Sequence, residues 1–290
     1  MYTIIDGKKT AADIRHEIAA EVKEMKAAGL KPPHLAAILV GDDPSSETYV
    51  VNKVRDCEEV GFISTLVRFD RDITEKMLLD KISEFNSDSN LDAFIVQLPL
   101  PRHIPENRVI QAIDPSKDAD GFHPVNLGRM LIGLPGFLPA TPYGIVELIR
   151  RYNIETSGRN CVVIGRSNIV GRPVSVLLSQ KGMDATVTVV HSKTNNIGKI
   201  VKDSQIVIAA LGIPGFVKAE MIREGAVVID VGTTRISAPG SRTGFRLAGD
   251  VDFENVAPLC SYITPVPGGV GPMTRVSLLR NTIAAVKNRR

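Results

Sequence analysis

The 290-residue sequence has no tryptophan, and aromatic side chains make up only 5% of it. It also lacks any apolar run near the roughly 20 residues that a membrane-spanning helix requires. Its first residues, MYTIIDGKKT, do not have the basic-then-apolar pattern of a secretory signal peptide. These absences argue against stacking surfaces for single-stranded nucleic acid and against a membrane partner.

The sequence also has little excess charge and few cysteines. The formal net charge is +3, too close to neutral to indicate a nucleic-acid surface. The three cysteines, Cys57, Cys161 and Cys260, are far apart and suggest neither a disulfide framework nor a zinc site. The five histidines show no metal-ligand spacing either. We therefore expect reduced cysteines, a cytoplasmic location and no bound metal.

Helical and strand-like patterns alternate along the chain, which is typical of an α/β protein with mainly parallel sheets. We predict two α/β lobes around a cleft, the second a Rossmann-type dinucleotide-binding domain. The first domain is expected over 1–140 and the second over 141–271, with a C-terminal helix at 272–290 packing back on the first. Strands are predicted at 34–41, 62–69, 92–98, 161–165, 186–191, 205–211, 226–232 and 261–266.

A glycine-containing turn follows the predicted strand CVVIG. Gly165 and Gly171 flank this turn, and Pro173 suits the first turn of the helix that follows. Such a helix start presents unpaired N–H groups to a phosphate. The segment lacks the G-x-G-x-x-G fingerprint, so an ordinary strand-to-helix turn is the alternative.

The next strand indicates which dinucleotide is bound. NAD-binding folds usually place an acid at its end, where the carboxylate accepts from the ribose 2′-OH. Here the strand ends in His191-Ser192-Lys193, with no carboxylate. Arg166, Ser167 and Ser192 would instead suit a 2′-phosphate, which favours NADP. His191 itself is equally compatible with a structural role.

Tyr49 and Lys53 are four residues apart on a predicted helix and should share a face. We expect Val50, Val54 and Cys57 to form the core face of that helix, partly turned away from the pair. A tyrosine and a lysine so placed can perform acid–base chemistry if burial depresses the lysine pKa. An exposed helix face explains most such pairs. Short-chain dehydrogenases also contain a tyrosine and a lysine at this spacing, but there the pair follows the cofactor-binding glycines. In this sequence the pair precedes the glycines, which argues against that class of enzyme.

Polar residues also follow the strand at 92–98. Gln97 ends that strand, where ligand crevices form in α/β folds. Asp118 and Asp120 lie in a turn closed by Gly121. An aspartate beside a glycine is commonly a turn former, and that reading is as good as a functional one for Asp118.

Nine segments together resemble the bifunctional methylenetetrahydrofolate dehydrogenase/methenyltetrahydrofolate cyclohydrolase family. They occur in family order over residues 40–274. The segments are VGDDPSSETYVVNK, VQLPLP, DPSKDADGFHPVNLGRM, PATPYGI, VVIGRSNIVGRP, VVHSKT, VVIDVG, GDVDF and YITPVPGGVGPMT.

The resemblance implies NADP-dependent oxidation of 5,10-methylenetetrahydrofolate, followed by hydrolysis of the methenyl product to 10-formyltetrahydrofolate. It also implies a homodimer formed through the second lobe and a tetrahydrofolate-type substrate in the cleft. The catalytic residues it implies are Lys53, Tyr49, Gln97 and Asp120. The implied substrate contacts are Tyr49, Ser46, Asp120, Pro265, Pro267, Gly268 and Gly269, and the implied NADP contacts are Gly165, Arg166, Ser167, Ser192 and Thr233.

Two positions depart from the family pattern. Ala140 stands where the family usually has cysteine, so no thiol can act there. Thr234 stands where an asparagine is expected, which leaves the hydrogen bonding near the cofactor open. Three alternative functions are a monofunctional dehydrogenase, a non-catalytic dinucleotide sensor and an amino-acid or shikimate-type dehydrogenase. The retained lysine and glutamine, and the intact folate-type segments, argue against all three.

Overall fold

The computed structural model describes residues 1–241 and 244–288. Its strands are β1 (Thr3–Ile4), β2 (His34–Val40), β3 (Ile63–Phe69), β4 (Ala93–Val96), β5 (Asn160–Ile164), β6 (Thr186–Val190), β7 (Ile206–Ala209), β8 (Ala226–Asp230), β9 (Thr234–Ser237), β10 (Phe245–Ala248) and β11 (Cys260–Ile263). Its α-helices are α1 (Gly7–Ala27), α2 (Pro44–Val60), α3 (Glu75–Ser87), α4 (Glu106–Ala112), α5 (Pro124–Leu131), α6 (Ala140–Arg151), α7 (Gly171–Ser179), α8 (Ile197–Lys202), α9 (Phe253–Val256) and α10 (Val270–Asn288). None of the described helices could cross a membrane.

The chain divides into two compact units. The large-sheet unit comprises Met1–Ala11 and Thr141–Thr274, and the small-sheet unit comprises Ala12–Ala140 and the described residues from Arg275 onward. This division begins the C-terminal segment at Arg275 rather than at residue 272, and it differs from the expected one mainly at residues 1–11. They group with the large sheet because β1 pairs in parallel with β11, Thr3 beside Tyr262. Of the helix predicted over 272–290, Arg289 and Arg290 lie outside the described residues.

The large-sheet unit contains a six-stranded parallel sheet in the order β1–β11–β8–β7–β5–β6. Its inner strands β5, β7 and β8 are almost wholly apolar and buried, as expected for strands covered on both faces. The chain runs from β5 to β6 on one side and then to β7 on the other. The strand order therefore reverses beside β5, and such a switch point is where α/β sheets bind ligands.

The small-sheet unit contains a three-stranded parallel sheet in the order β3–β2–β4. Its core packs Ile38 and Phe94 of the sheet against Leu78 and Ile82 of α3. The central strand β2 again has the next strands on opposite sides, so a second crevice is expected at the carboxyl ends of β2 and β4.

The mixed α/β fold with parallel sheets and two domains is confirmed, and all eight predicted strands are present within a few residues. The sequence reading missed five features: strand β1, the antiparallel pair of β9 and β10, and the short helices α5, α8 and α9. These elements are short, and the hairpin strands show only partial burial, so their hydrophobic periodicity is weak.

Candidate functional site

In the small-sheet unit, polar side chains collect at the carboxyl ends of β2 and β4. Gln97 directly follows β4, and its backbone N–H donates to the carbonyl of Ile38 at 2.9 Å. Helix α2 begins shortly after β2, where the Asp43 carboxylate caps it by accepting from the N–H of Ser46 at 2.8 Å. The cap fixes where α2 starts and hence which of its residues meet the end of β4.

Lys53 lies on the buried face of α2. Its side chain is only 8% exposed, and its neighbours Val50 and Cys57 are buried as well. The expected core face was therefore wrong in one respect: Val54 is only half-buried, and Lys53 occupies the face in its place. A lysine takes such a position only with a polar partner for its ammonium group.

Gln97 is that partner. The Lys53 Nζ donates to Gln97 Oε1 at 3.0 Å. The Gln97 Nε2 donates to the carbonyl of Leu98, which holds the amide oxygen toward the lysine. Burial lowers the pKa of Lys53, and the Arg275 guanidinium lowers it further, against opposing effects of Asp120 and Cys57. The ammonium group therefore releases its proton more readily than an exposed lysine would.

Asp120 reaches the same edge because its chain segment runs beside β4. The Phe94 N–H donates to the carbonyl of Lys117, and the Ala119 N–H donates to the carbonyl of Phe94. The segment therefore runs parallel to β4, and Asp120 lies near the carboxyl end of that strand. Burial raises the pKa of Asp120 to about 6, with the Lys53 charge opposing that rise.

The turn that holds Asp120 is braced from two sides. The Asp118 carboxylate accepts from the N–H groups of Gly121 and His123 at 3.1 and 2.8 Å. The Asn281 side chain donates to the carbonyls of Ala119 and Leu138 at 2.8 and 2.9 Å. Asp118 therefore acts as a turn former, one of its two expected readings. Asn281 was missed, because nothing in the local pattern of α10 marks it.

Tyr49 and Ser46 lie earlier on α2. Tyr49 is 36% exposed, which leaves much of its ring available to a flat ligand, whereas Ser46 is buried. Ala140 starts α6 with its methyl group buried, and its N–H donates to the carbonyl of Asp120 at 3.1 Å. The backbone at this departure from the family pattern thus still supports the Asp120 turn.

A buried ion cluster lies one helical turn beyond Lys53. Asp56 is 2% exposed and lies 3.2 Å from Arg275 and 3.9 Å from Arg15. Burial nevertheless raises the pKa of Asp56. The sequence reading missed this cluster, because its three members come from three helices that are distant along the chain.

In the large-sheet unit, Gly165 lies at the switch point of the sheet. Its φ of 124° is in the region that side chains rarely adopt, and a Cβ there would collide with the carbonyl of Ala210. A Cβ on Gly171 would collide with the carbonyl of Gly165. The turn between β5 and α7 therefore closes only with glycine at both positions.

The expected 2′-phosphate donors follow two paired strands. Gly165 donates its N–H to the carbonyl of Val190, so the ends of β5 and β6 lie side by side. Arg166 and Ser167 follow β5, Ser192 follows β6, and all three are exposed. Ser167 Oγ also accepts from the N–H groups of Val170 and Gly171, so it caps the start of α7.

His191 has a structural role. Its Nδ1 accepts from the N–H of Lys193, and its own N–H donates to the hydroxyl of Thr194. These bonds shape the turn that presents Ser192. Thr233 is exposed in the loop after β8, and the Thr234 hydroxyl lies 3.5 Å from the carbonyl of Gly212, at the limit of a hydrogen bond.

The loop from Pro265 to Gly269 lies in the large-sheet unit, between β11 and α10. It contains Pro265, Pro267, Gly268 and Gly269. The N-terminal segment contacts this loop closely. Lys8 donates its N–H to the carbonyl of Gly268 at 2.9 Å, and a Cβ on Gly7 would collide with Gly269. The sequence reading did not assign this role to residues 7 and 8.

The donor set at β5 and β6 fits a phosphorylated dinucleotide, because a guanidinium and two hydroxyls supply donors where phosphate oxygens accept. The large sheet has its glycine turn at the switch point, as dinucleotide-binding folds do. The small-sheet unit supplies a buried lysine beside a carboxyl group. The two units thus define the chain as a two-domain α/β dehydrogenase with an additional acid–base site.

Comparison with known proteins identifies the family. Residues 5–120 match the catalytic domain of tetrahydrofolate dehydrogenase/cyclohydrolase, and residues 139–290 match its NAD(P)-binding domain. The chain is 58% identical over 288 residues to the bifunctional protein FolD of Porphyromonas gingivalis, covering 99% of this chain and 97% of that protein. The chain therefore belongs to the tetrahydrofolate dehydrogenase/cyclohydrolase family, and it is a dehydrogenase and cyclohydrolase.

Solved structures agree with this assignment. A FolD methylenetetrahydrofolate dehydrogenase/cyclohydrolase from Campylobacter jejuni is 43% identical, with a TM-score of 0.94 and full coverage of both chains. The Trypanosoma brucei enzyme, solved with NADP and an inhibitor, is 40% identical, with a TM-score of 0.95 over 99% of this chain and 98% of that one.

Proposed function

We propose that the chain oxidises 5,10-methylenetetrahydrofolate with NADP and hydrolyses the methenyl product to 10-formyltetrahydrofolate at a site built on Lys53. The observation that carries this proposal is the 3.0 Å contact between Lys53 Nζ and Gln97 Oε1, in buried surroundings shared with the Asp120 carboxyl group. A lysine that is buried, oriented and more easily deprotonated is what acid–base catalysis near neutral pH requires.

Asp120 is proposed to bind the pterin ring. The 2-amino and ring N–H edge of a pterin offers two parallel donors, and one carboxylate can accept both. Tyr49 is proposed to stack its ring on the substrate, with Ser46 contributing close to the lysine. The residues Pro265, Pro267, Gly268 and Gly269 remain proposed folate contacts, supported by the rigid backbone of their loop.

The oxidation step needs mainly orientation. NADP, when bound, supplies the acceptor for a hydride that leaves the methylene carbon of the substrate. The lone pair of the adjacent substrate nitrogen stabilises the cation so formed. The protein binds, aligns and excludes water: Arg166, Ser167 and Ser192 would hold the 2′-phosphate, Gly165 would allow close approach, and the Thr233 backbone would meet the nicotinamide.

The hydrolysis step needs proton transfer. Water adds to the methenyl carbon, and a C–N bond of the resulting tetrahedral species then breaks. We assign to neutral Lys53 the removal of a proton from the attacking water, and to its ammonium form the return of that proton to the departing nitrogen. The remaining hydroxyl proton is released to solvent as the formyl carbonyl forms. Gln97 orients the Nζ for both transfers. Burial lowers the pKa of Lys53, which favours the neutral form more than in an exposed lysine.

A spectrophotometric assay with methylenetetrahydrofolate tests the proposal. We expect NADPH to form and the methenyl absorbance to rise only transiently, with slower turnover when NAD replaces NADP. Methenyl product that accumulates in proportion to NADPH would indicate a dehydrogenase alone. A preference for NAD would contradict the roles of Arg166, Ser167 and Ser192.

We also propose that the chain works as a homodimer in the cytoplasm. The hairpin of β9 and β10 supports the dimer, because Phe245 and Leu247 are exposed on it and a second copy could cover them. The three cysteines support the location, since all are buried and unpaired, as is usual in a reducing compartment.

A further inference from the structure

Two buried aspartates in the large-sheet unit have no role in the function described so far. Asp230 is the last residue of β8 and is 3% exposed, and Asp250 follows β10 and is 0% exposed. Both belong to segments that resemble the family, but neither was singled out from the sequence. They lie at the carboxyl ends of the sheet, where the dinucleotide turn is also found.

Asp230 draws together two loops. Its Oδ1 accepts from the N–H groups of Gly232 and Asp250, each at 2.9 Å, and its Oδ2 accepts from the N–H of Val251 at 3.0 Å. The loop after β8 is therefore joined to the segment after β10. The Asp230 N–H in turn donates to the Thr264 hydroxyl at 2.7 Å, which fixes the residue against the end of β11.

Asp250 holds a third loop. Its Oδ2 accepts from the N–H groups of Leu211 and Gly212, at 2.6 and 3.0 Å, just after the end of β7. Its Oδ1 is buried without a hydrogen-bond donor among the described residues. A buried carboxylate oxygen without a hydrogen-bond donor destabilises the fold, so stability alone does not explain this aspartate.

The two carboxylates also explain two glycines. A Cβ on Gly249 would collide with the Asp230 carboxylate, and a Cβ on Gly232 would collide with the Asp250 carboxylate. Each aspartate thus packs against a glycine that lies within two residues of the other aspartate in sequence. Because of these contacts, the loop after β8 and the segment after β10 cannot shift independently of each other.

We propose that Asp230 and Asp250 are positioning residues that hold the loops at 211–212 and 232–233 in the shape that receives the nicotinamide half of the dinucleotide. This inference rests on the proposed function of Thr233. Because N–H and C=O of a trans peptide point in opposite directions, the bonds to Asp250 and Asp230 direct the carbonyls of Leu211 and Val231 away from the carboxylates. In this proposal the aspartates act through the loops and make no contact with the cofactor.

Burying two carboxylates costs folding stability, which argues that they serve to position the loops. Burial raises the pKa of Asp230 to about 6, and the Asp250 charge adds to the rise, against the three backbone N–H groups that lower it. The donors come from three separate loops, so the network constrains geometry across the edge of the sheet.

The test compares two ligands by calorimetry: NADP, and 2′,5′-ADP, which lacks the nicotinamide half. Asp250→Asn removes the charge that faces Leu211 and Gly212. Asp252→Asn is the matched control, because Asp252 is half-buried and its carboxylate accepts from the side chains of Lys218 and Asn255. We expect Asp250→Asn to weaken NADP binding at least tenfold and to leave the affinity for 2′,5′-ADP unchanged. The control should bind both like the wild type.

Equal weakening of both ligands would overturn the proposal, since the aspartate would then support the whole unit. Unchanged NADP binding would overturn it as well. If Asp250→Asn does not fold, amide hydrogen exchange of the wild-type protein decides: we expect slow exchange at Leu211, Gly212 and Gly232, and fast exchange there would reject the network. Wild-type protein that binds neither ligand would instead contradict the proposed function.

Discussion

At the scale of single residues, the unusual group is a lysine that faces the interior of its own unit. Lys53 takes the place that an apolar side chain would fill on α2, and it is held there by Gln97 and by the charge of Asp120. Burying an ammonium group costs stability even when it has partners, so its presence on a core face indicates chemistry.

Replacing this lysine separates the two activities. We expect Lys53→Met to lower the rate of methenyl hydrolysis by roughly 10²–10⁴-fold, the usual contribution of an acid–base group. Dinucleotide binding should survive, because its proposed contacts lie in the large-sheet unit. Following methenyl decay and titrating NADP measure both effects.

Lys76→Met is the control for that experiment, since Lys76 is exposed and pairs with Asp80 on the surface of α3. It should leave both measurements unchanged. Full hydrolysis by Lys53→Met would remove the lysine from the mechanism.

Asp120 provides a test in which stability and binding change in opposite directions. Its pKa is about 6 in the fold, against 3.8 for an ordinary aspartate, so between about pH 4 and 6 the folded protein holds more protons than the unfolded chain. Its contribution to the free energy of unfolding is therefore present at low pH and lost as the pH rises through 6. The neutral variant Asp120→Asn should gain stability over the wild type across this range.

The same variant should bind folate more weakly, by about 1–3 kcal/mol, because one accepting oxygen becomes a donor that faces a donor. Urea denaturation at a series of pH values measures the first effect, and folate titration measures the second. A stability difference that is independent of pH, or an unchanged folate affinity, would contradict the respective assignment.

At the scale of elements, the sharpest constraint is the turn between β5 and α7. Gly165 has a positive φ and lies against the carbonyl of Ala210, which directly follows the neighbouring strand β7. Any side chain at this position must therefore displace the end of β7. We expect Gly165→Ala to destabilise the protein by about 1–3 kcal/mol, as overpacking does, and to impair dinucleotide binding.

Gly240→Ala is the matched substitution, because an added Cβ at Gly240 meets no atom within 4 Å. It should keep both the melting temperature and the affinity for NADP. Thermal unfolding and calorimetry compare the two variants, and an equal effect of both would mean that the turn tolerates a side chain.

At the scale of the whole molecule, the self-association of the chain can be measured directly. Sedimentation equilibrium should give twice the monomer mass, and Phe245→Asp should shift the equilibrium toward monomer because a charge would enter the interface. Leu131→Asp, at an apolar position of similar exposure in the small-sheet unit, should not. A monomeric wild-type protein would reject the proposed dimer.

Local sequence determined much of this protein. Apolar runs such as AVVID and HLAAILV read as buried strands because strands covered on both faces need no polar side chains. Gly165, Pro173 and the missing acid after β6 predicted a dinucleotide turn suited to a 2′-phosphate, since each effect acts within a few residues. The order of nine segments identified the family.

Tertiary structure decided what depends on contacts between distant segments. Lys53 became a core residue only through the end of β4, and Asp120 joined it only because the segment at 117–119 runs beside Phe94. The bonds of Asn281 to the Asp120 turn, and the reciprocal packing of Asp230 and Asp250, join segments far apart along the chain. Hydrophobic periodicity reports which face of an element is buried, but only the fold brings the partners to that face.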